Sequence, residues 1–576
     1  MKIIQLTDIK FDPNPDYYLS EDALLYPFDE FRENKILVPR FLNKPEEIRG
    51  FQMEVRMSYD KVLPVLTDFF NTIHNENRSV LYWERIIGFW LNSIISNYLE
   101  KYKRLELAFA FESGIKAISI PFSSFKIPLD SKEYFQVLRE SSHFHLQQYS
   151  DILKRWHEDH VEFKNFDISQ NDEMHEPKKT IKTKFKYWFL KVMNRGYSSE
   201  VTFFVSLFSN KDLFKFFLRS GFKYAPVLYP NTISIKRNID SNKRKRVIEF
   251  STGDHFVDSI FHSSVKYFLP TEVFEGYSEI SKEVDTFVDK KIPKVIFTGI
   301  GFVWSSQFAI WASKCADKGA KIYGIQHGGT YGDVEMLDGE FLERKLTDKY
   351  ITWGWVEDEK TIPLPSSRLF INRMKHFAGG NQILWVTTAD SRYNYFVGQI
   401  VFGNRFLKYF EHQKNLYSKL SSNIQEQISI RLYPKDFGWK LSDRWKDTFK
   451  NVNFSNPNQS FVEQAFESKL VIIDHLGGTT FLELITFNIP VIVVVDESLF
   501  ISRGPIQILY DELKRVGVLY TCNTSASVSL VEILKNVDSW WSKPERKNAI
   551  NQYKKQFALS DNKVIDKWFE FLKGFK

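Results

Sequence analysis

Three short stretches of this chain carry residue types at spacings that could do chemistry. Asp474–Glu483 reads DHLGGTTFLE, a turn with two glycines and two threonines at the point where a helix should begin. The unpaired N–H groups and partial positive charge of a helix N-terminus favour a phosphate there. Gly477 and Gly478 would let the backbone approach the ligand, and Thr479 and Thr480 would cap the helix or donate hydroxyl hydrogen bonds. Glu483, in the first turn, could accept from ribose hydroxyls, and His475 could touch the nucleotide or cap the turn. The bland alternative is a tight connection between strand and helix. Ile325–Asp333 reads IQHGGTYGD. His327, on a glycine-flanked turn, suits a general base that deprotonates a hydroxyl, with Gln326, Gly328, Gly329 and Tyr331 around the same cleft. A structural histidine is the alternative. Arg431–Asp436 reads RLYPKD. Arg431 or Lys435 could meet a phosphate or carboxylate, or Lys435 could pair on the surface with Asp436. Thr388, with Thr387 and Asp390 at the end of another apolar run, is a further phosphate contact.

The elements that must hold these turns follow from hydropathy. Leu470–Ile473 and Val491–Val495 are unbroken apolar runs, as in a parallel sheet covered on both faces, with a helix Phe481–Phe487 between them. From Lys291 onward strands and helices alternate: Lys294–Thr298, Ser305–Lys318, Lys321–Gln326 and Tyr350–Trp355. A second series holds Gln382–Thr388, Ile428–Tyr433, Val452–Ser455 and Phe461–Glu467. A break near Ser367–Asn381 divides the two series. The expectation is an α/β chain with two Rossmann-like domains facing a cleft, so that His327 and His475 both sit at strand ends. Residues 1–375 would form the first domain, with a helix-rich insert at about 60–285 and a core at about 290–360. Residues 376–540 would form the second, and 541–576 a crossing helix that packs back. The first fifty residues are expected to be irregular, and Tyr59–Tyr102 helical, with Trp83, Ile86, Ile87, Trp90, Leu91 and Ile94 on one face.

The 576 residues carry a net charge of +7, mildly basic and compatible with a polyanionic or membrane-surface partner. No zinc-finger, RRM or helix-turn-helix pattern points to nucleic acid. Neither GxxxxGK[ST] nor GxGxxG is present, which argues against an ATPase and a dehydrogenase. No metal-ligand spacing is found and no cofactor is expected. Cys315 and Cys522 are read as free thiols, and the absence of a signal-peptide core or spanning stretch suggests a cytoplasmic protein. Lys178–Lys191 interleaves lysines with aromatic residues and could lie on the inner membrane or be a solvated helix face. The run Lys243–Arg246 is read as a solvated loop.

The pairing of QHGG (Gln326–Gly329) with DHLGGTTFLELITFNIPVIVVV (Asp474–Val495) resembles GT-B glycosyltransferases. It is similar to the capsular Kdo transferases and the CDP-glycerol glycerophosphotransferases. With YWERIIGFWL (Tyr82–Leu91) and RLYPKD, the chain also looks like a family of bacterial surface-carbohydrate transferases. The resemblance implies a metal-independent transferase in which His327 is the acceptor base or a transition-state contact. Gly477, Gly478, Thr479 and Thr480 would bind donor phosphate, Glu483 the ribose, and Arg431 or Lys435 a phosphate or sugar carboxylate. Gly-Gly-Thr-Thr stands where the glycerophosphotransferases carry a serine-rich turn, which favours a sugar over glycerol phosphate. The donor expected is a CMP-linked nonulosonate, such as pseudaminic acid, or CMP-Kdo, and the acceptor a glycan, lipid-linked or on a protein. A polyol-phosphate transferase, a UDP-sugar epimerase of the same fold and a non-catalytic glycan-binding protein remain as alternatives.

Overall fold

The computed structural model describes residues 2–9, 11, 15–24, 35–38, 42, 44–112, 114–164, 199–226, 235–288, 292–371, 380–396, 403 and 405–575. The expected membrane-facing segment Lys178–Lys191 lies outside the described residues. Along the chain, strands β1 (Lys2–Gln5) and β2 (Tyr17–Tyr18) come first. Two long helices follow, α1 (Pro45–His74) and α2 (Val80–Phe111). Then come β3 (Ile115–Ser119), α3 (Ser131–Glu140), α4 (Ser142–Trp156) and β4 (Val161–Phe163). The four strands pair in parallel in the order β2-β1-β3-β4. This N-terminal sheet corrects two expectations: the first fifty residues are not wholly irregular, and the elaboration is not helical alone. Each of its strands is five residues or shorter, too brief for a period-two pattern to stand out from the neighbouring helices. Pro45 opens α1, where the N–H that proline lacks would have no intrahelical partner in any case.

The first cleft-forming half uses β5 (Val201–Phe204), β6 (Tyr224–Pro226) and β7 (Val295–Thr298). After α5 (Ser306–Asp317) come β8 (Lys321–Ile325), α6 (Asp338–Leu346), β9 (Lys349–Thr352) and β10 (Thr361–Pro363). All six strands are parallel, in the order β10-β9-β8-β7-β5-β6. The sheet therefore begins near residue 201 rather than 290, with two of its strands inside the stretch assigned to the helix-rich insert. Side chains alternate across β7: Val295 and Phe297 enter one core, Ile296 the other.

The second half comprises β11 (Gln382–Val386), α7 (Arg405–Ser418), β12 (Ile428–Arg431) and β13 (Ser468–Ile473). It continues through α8 (Thr479–Thr486), β14 (Val491–Val494), α9 (Gln507–Arg515) and β15 (Leu519–Tyr520). Its parallel order is β12-β11-β13-β14-β15. Val471 and Ile473 face one core and Leu470 and Ile472 the opposite one, which is why this strand reads as an unbroken apolar run. The strand expected at Val452–Ser455 is a single bridge from Phe454 to Ile430. Helix α8 starts at Thr479, two residues earlier than expected, because Gly478 adopts the extended cap conformation (φ −66°, ψ 151°).

At the C-terminus, α10 (Pro544–Phe557) packs Ala549, Ile550, Tyr553 and Phe557 onto the second half. The helix α11 (Val564–Lys573) packs on the first sheet, with Trp568 against Phe208 and Phe297 and its indole N–H donating to the Pro365 carbonyl at 2.8 Å. Two parallel α/β halves facing one another, tied by a returning C-terminal helix, make the GT-B layout. In each sheet the chain runs outward and then switches sides, between β5 and β7 and between β11 and β13. Ligands bind at the carboxyl ends beside such switch points.

Candidate functional site

A cavity of about 450 Å³ lies between the halves and the N-terminal elaboration. Its walls hold His327, Gly328, Gly329, Tyr331 and Glu343 from the first half, Thr388, Asp390, Gly478 and Thr479 from the second, and Arg139 from α3. Aromatic side chains complete it, among them Phe135, Trp304, Tyr395 and Tyr433.

The His327 loop leaves β8 at its carboxyl end. Gln326 anchors it: its Oε1 accepts from the Trp353 N–H (2.8 Å) and the Trp355 indole (2.9 Å), and its Nε2 donates to the Gly328 carbonyl (2.9 Å). Gln326 is thus buried support for the turn, not a cleft group. The His327 Nε2 lies 2.9 Å from Glu343 Oε1 and 2.7 Å from the Tyr331 hydroxyl. Tyr331 also donates to Glu343 at 3.0 Å, and Tyr350 donates to its other oxygen at 2.7 Å. Burial, then the Glu343 charge, pushes both tyrosines well above the usual phenol range, so both stay protonated as donors. A carboxylate at Nε2 favours the tautomer with its proton there, leaving Nδ1 as the basic nitrogen. His327 keeps 23% of its side-chain surface open.

Glu343 was not found from the sequence. Its signal was present: DGEFLERKL follows the histidine turn and places Glu340 and Glu343 one helical turn apart. Glu340 accepts from the Gly332 N–H at 2.7 Å and fixes the same loop.

The two glycine turns, expected to face each other across a cleft, touch directly. The Gly329 N–H donates to Thr479 Oγ1 at 2.8 Å, and the Thr330 N–H to the Gly477 carbonyl at 2.5 Å. A Cβ on Gly329 would meet the Gly477 oxygen at 2.1 Å, so only glycine permits this approach. Gly477 has φ +65° and lies over the Asp333 carboxylate. Asp333 accepts from the hydroxyls of Tyr510 and, at 3.1 Å, Tyr553, and burial raises its pKa to about 6. The N-terminus of α8 has no side-chain cap, and Gly478 and Thr479 open onto the cavity.

Other expected ligands sit elsewhere. Arg431 turns into its own half, where Nη1 donates to the Gln459 carbonyl (3.0 Å) and Gln464 Oε1 (2.7 Å). Lys435 pairs with Glu140, not with Asp436. Neither lines the cavity. Both lie at or beyond the end of β12, an edge strand whose side chains the period-two rule alone could not orient past Pro434. His475 is buried beneath the turn, with Nδ1 3.4 Å from Asp474, and its ring packs against Gly478. Glu483 is buried and pairs with Arg368 at 3.3 Å; burial raises its pKa. Thr480 is half-buried outside the cavity wall, whereas Thr388 is on it, its N–H donating to the Tyr409 hydroxyl at 2.9 Å. Among the described residues lining the cavity, the one cation is Arg139, for which the amphipathic pattern SKEYFQVLRE gave no functional signal.

A family model matches residues 11–572 of this sequence, almost its whole length. The chain belongs to the LIC12162 family of transferases. Membership in the LIC12162 family makes it a transferase and places both glycine turns inside the matched region. No curated protein matches the sequence. Among solved structures, S. aureus MnaA with UDP is similar at a TM-score of 0.36 and 12% identity, covering 65% of this chain and 95% of that one. UDP-GlcNAc 2-epimerase from Neisseria meningitidis bound to UDP-GlcNAc gives 0.34 and 14%, covering 65% and 98%. A mutant Thermobaculum terrenum O-GlcNAc transferase gives 0.34 and 9%, covering 92% and 97%. Among the described residues no helix is long and apolar enough to cross a membrane, and no cluster of three or more His, Cys, Asp or Glu could hold a metal ion.

Proposed function

We propose that this transferase is a glycosyltransferase that moves a sugar from a nucleotide donor to a hydroxyl of a bacterial surface glycan. The observation that carries the reading is the contact of the His327 turn with the uncapped start of α8 at one cavity wall. His327 is held at Nε2 by Glu343, so Nδ1 would take the proton of the acceptor hydroxyl as its oxygen bonds to the anomeric carbon. The bond from that carbon to the donor phosphate breaks, and the phosphate oxygen keeps the electron pair. The N–H groups of Gly478, Thr479 and Thr480 and the dipole of α8 would stabilise the leaving charge. Glu483, one turn further along the same helix, is taken up by Arg368 and is given no part in donor binding.

For the donor we propose a CMP-linked nonulosonate or CMP-Kdo. The support is Arg139 on the cavity wall, in the role expected of Arg431 or Lys435. The direct contact of the two glycine turns is compatible with a donor phosphate and an acceptor hydroxyl meeting at one point.

The test is a thermal-shift panel of CMP, CDP, UDP, GDP and ADP, run on the unchanged protein and on His327→Ala. Selective stabilisation by one nucleotide, kept in His327→Ala while turnover is lost, is the expected result. CMP supports the acid-sugar donor, CDP points to polyol-phosphate transfer, and UDP or GDP to a hexose. No shift with any nucleotide sinks the donor-site reading.

A further inference from the structure

We propose that Arg139 is the anion-binding group of the cavity, receiving a carboxylate or phosphate of the substrate through its guanidinium edge. The inference rests on the cavity being the transferase site and deepens that reading by naming a residue outside both Rossmann-like halves. Arg139 stands in the last turn of α3. Its guanidinium carbon lies 5.0 Å from the Tyr395 ring and 4.9 Å from the Phe437 ring, contacts that hold the planar group by cation–π attraction. Among the described residues its one ion pair is loose: Nη2 is 3.6 Å from Asp390 Oδ1, beyond a good hydrogen bond. Its Nε is buried with no hydrogen-bond partner among the described residues.

A guanidinium carries five N–H donors, and leaving them unmet in a buried place is unfavourable. Buried cations are therefore usually matched, and the partly buried Arg431 illustrates the rule, since Gln459 and Gln464 accept from it. Arg139 instead lines an open cavity with 23% of its side chain exposed. A planar fork of donors fits two oxygens of one carboxylate or phosphate, and such paired contacts are among the strong ones. The acid it must share with an incoming anion is Asp390, which accepts from the Ser391 N–H at 2.8 Å. Burial raises the pKa of Asp390, so proton uptake there can relieve repulsion when an anion arrives.

Four probes test this by calorimetry on the full chain: CMP, inorganic pyrophosphate, N-acetylneuraminate as a carboxylated sugar, and N-acetylglucosamine as a neutral one. Arg139→Gln should weaken at least one anionic probe by about tenfold or more and leave the neutral sugar unchanged. Loss confined to CMP and pyrophosphate assigns the contact to phosphate; loss confined to N-acetylneuraminate assigns it to the carboxylate. Arg139→Lys should restore binding only in part, because an ammonium cannot offer the fork. Asp390→Asn removes the ion pair but keeps the guanidinium, and should bind the same anion at least as well as the unchanged protein. Equal loss in Asp390→Asn and Arg139→Gln would mean that Arg139 acts only through the pair, and overturns the proposal. Wild-type affinity for every anion in Arg139→Gln also overturns it, while nucleotide binding and the His327→Ala defect would leave the transferase reading standing. Failure of the unchanged protein to bind any nucleotide or anion removes both.

Discussion

His327 is held by its Nε2 edge, and this decides how its neighbours should respond to substitution. His327→Ala should lower kcat by about 10²–10⁴-fold if the ring is the base, with nucleotide affinity unchanged. Glu343→Gln keeps the shape but removes the charge that fixes the tautomer. Its kcat should fall on the order of tenfold, with a shifted pH profile. Steady-state kinetics with the donor identified by the thermal-shift panel checks both. An unshifted profile in Glu343→Gln would reduce the carboxylate to a packing role. Sequence reasoning reached His327 because a histidine between a strand and two glycines is exposed by its local context. It missed Glu343 and Arg139 because each reaches the cavity through a helix whose facing is set by packing.

At the level of elements, the turns after β8 and β13 act as one unit. Gly329→Ala would drive a methyl group to 2.1 Å of the Gly477 carbonyl and 2.5 Å of the Thr479 nitrogen, both backbone atoms that cannot swing aside. Separating the turns would also break the bonds from Gly329 to Thr479 and from Thr330 to Gly477. We expect a loss of about 1–3 kcal/mol, read as a lower melting temperature, with weaker nucleotide binding. Gly504→Ala, where a Cβ meets nothing within 4 Å, serves as the neutral control. The alternation of Val471 and Ile473 with Leu470 and Ile472 between two cores explains why β13 and β14 were legible as strands. The N-terminal sheet was not legible, because short strands set among long helices carry little periodic signal.

For the whole molecule, the halves are joined by the Asp333 network and by the C-terminal helices. Burial raises the pKa of Asp333 to about 6, above its unfolded value of about 3.9. The native state therefore binds more protons than the unfolded chain between these values. Stability from this group is complete below about pH 4 and is lost as pH rises through about 6. A shift of two units corresponds to about 3 kcal/mol at most. The melting temperature of the unchanged protein relative to Asp333→Asn should fall from pH 4 to 6 and level off above 7; a flat difference would sink the assignment. Trp568→Ala removes the largest side chain by which α11 grips the first sheet. It should cost about 3–5 kcal/mol, seen as an early unfolding transition of the first half.

The sequence by itself determined the two apolar strand series, the glycine turns at their ends, the candidate base His327 and the expectation of two Rossmann-like halves. These rest on local rules: strand hydropathy, turn residues and the polarity of a helix start. The GT-B plan was read from the resemblance that the paired glycine motifs carry. Tertiary structure alone decided which charges reach the cavity. Arg431, Lys435, His475 and Glu483 bear suitable groups close in sequence to the turns, yet each is paired or buried against a neighbour that no local pattern specifies. Arg139 comes from a helix far along the chain, and only its packing beside Tyr395, Phe437 and Asp390 brings it to the site. A side chain's reach is fixed by its own residue, but its partner is fixed by the fold.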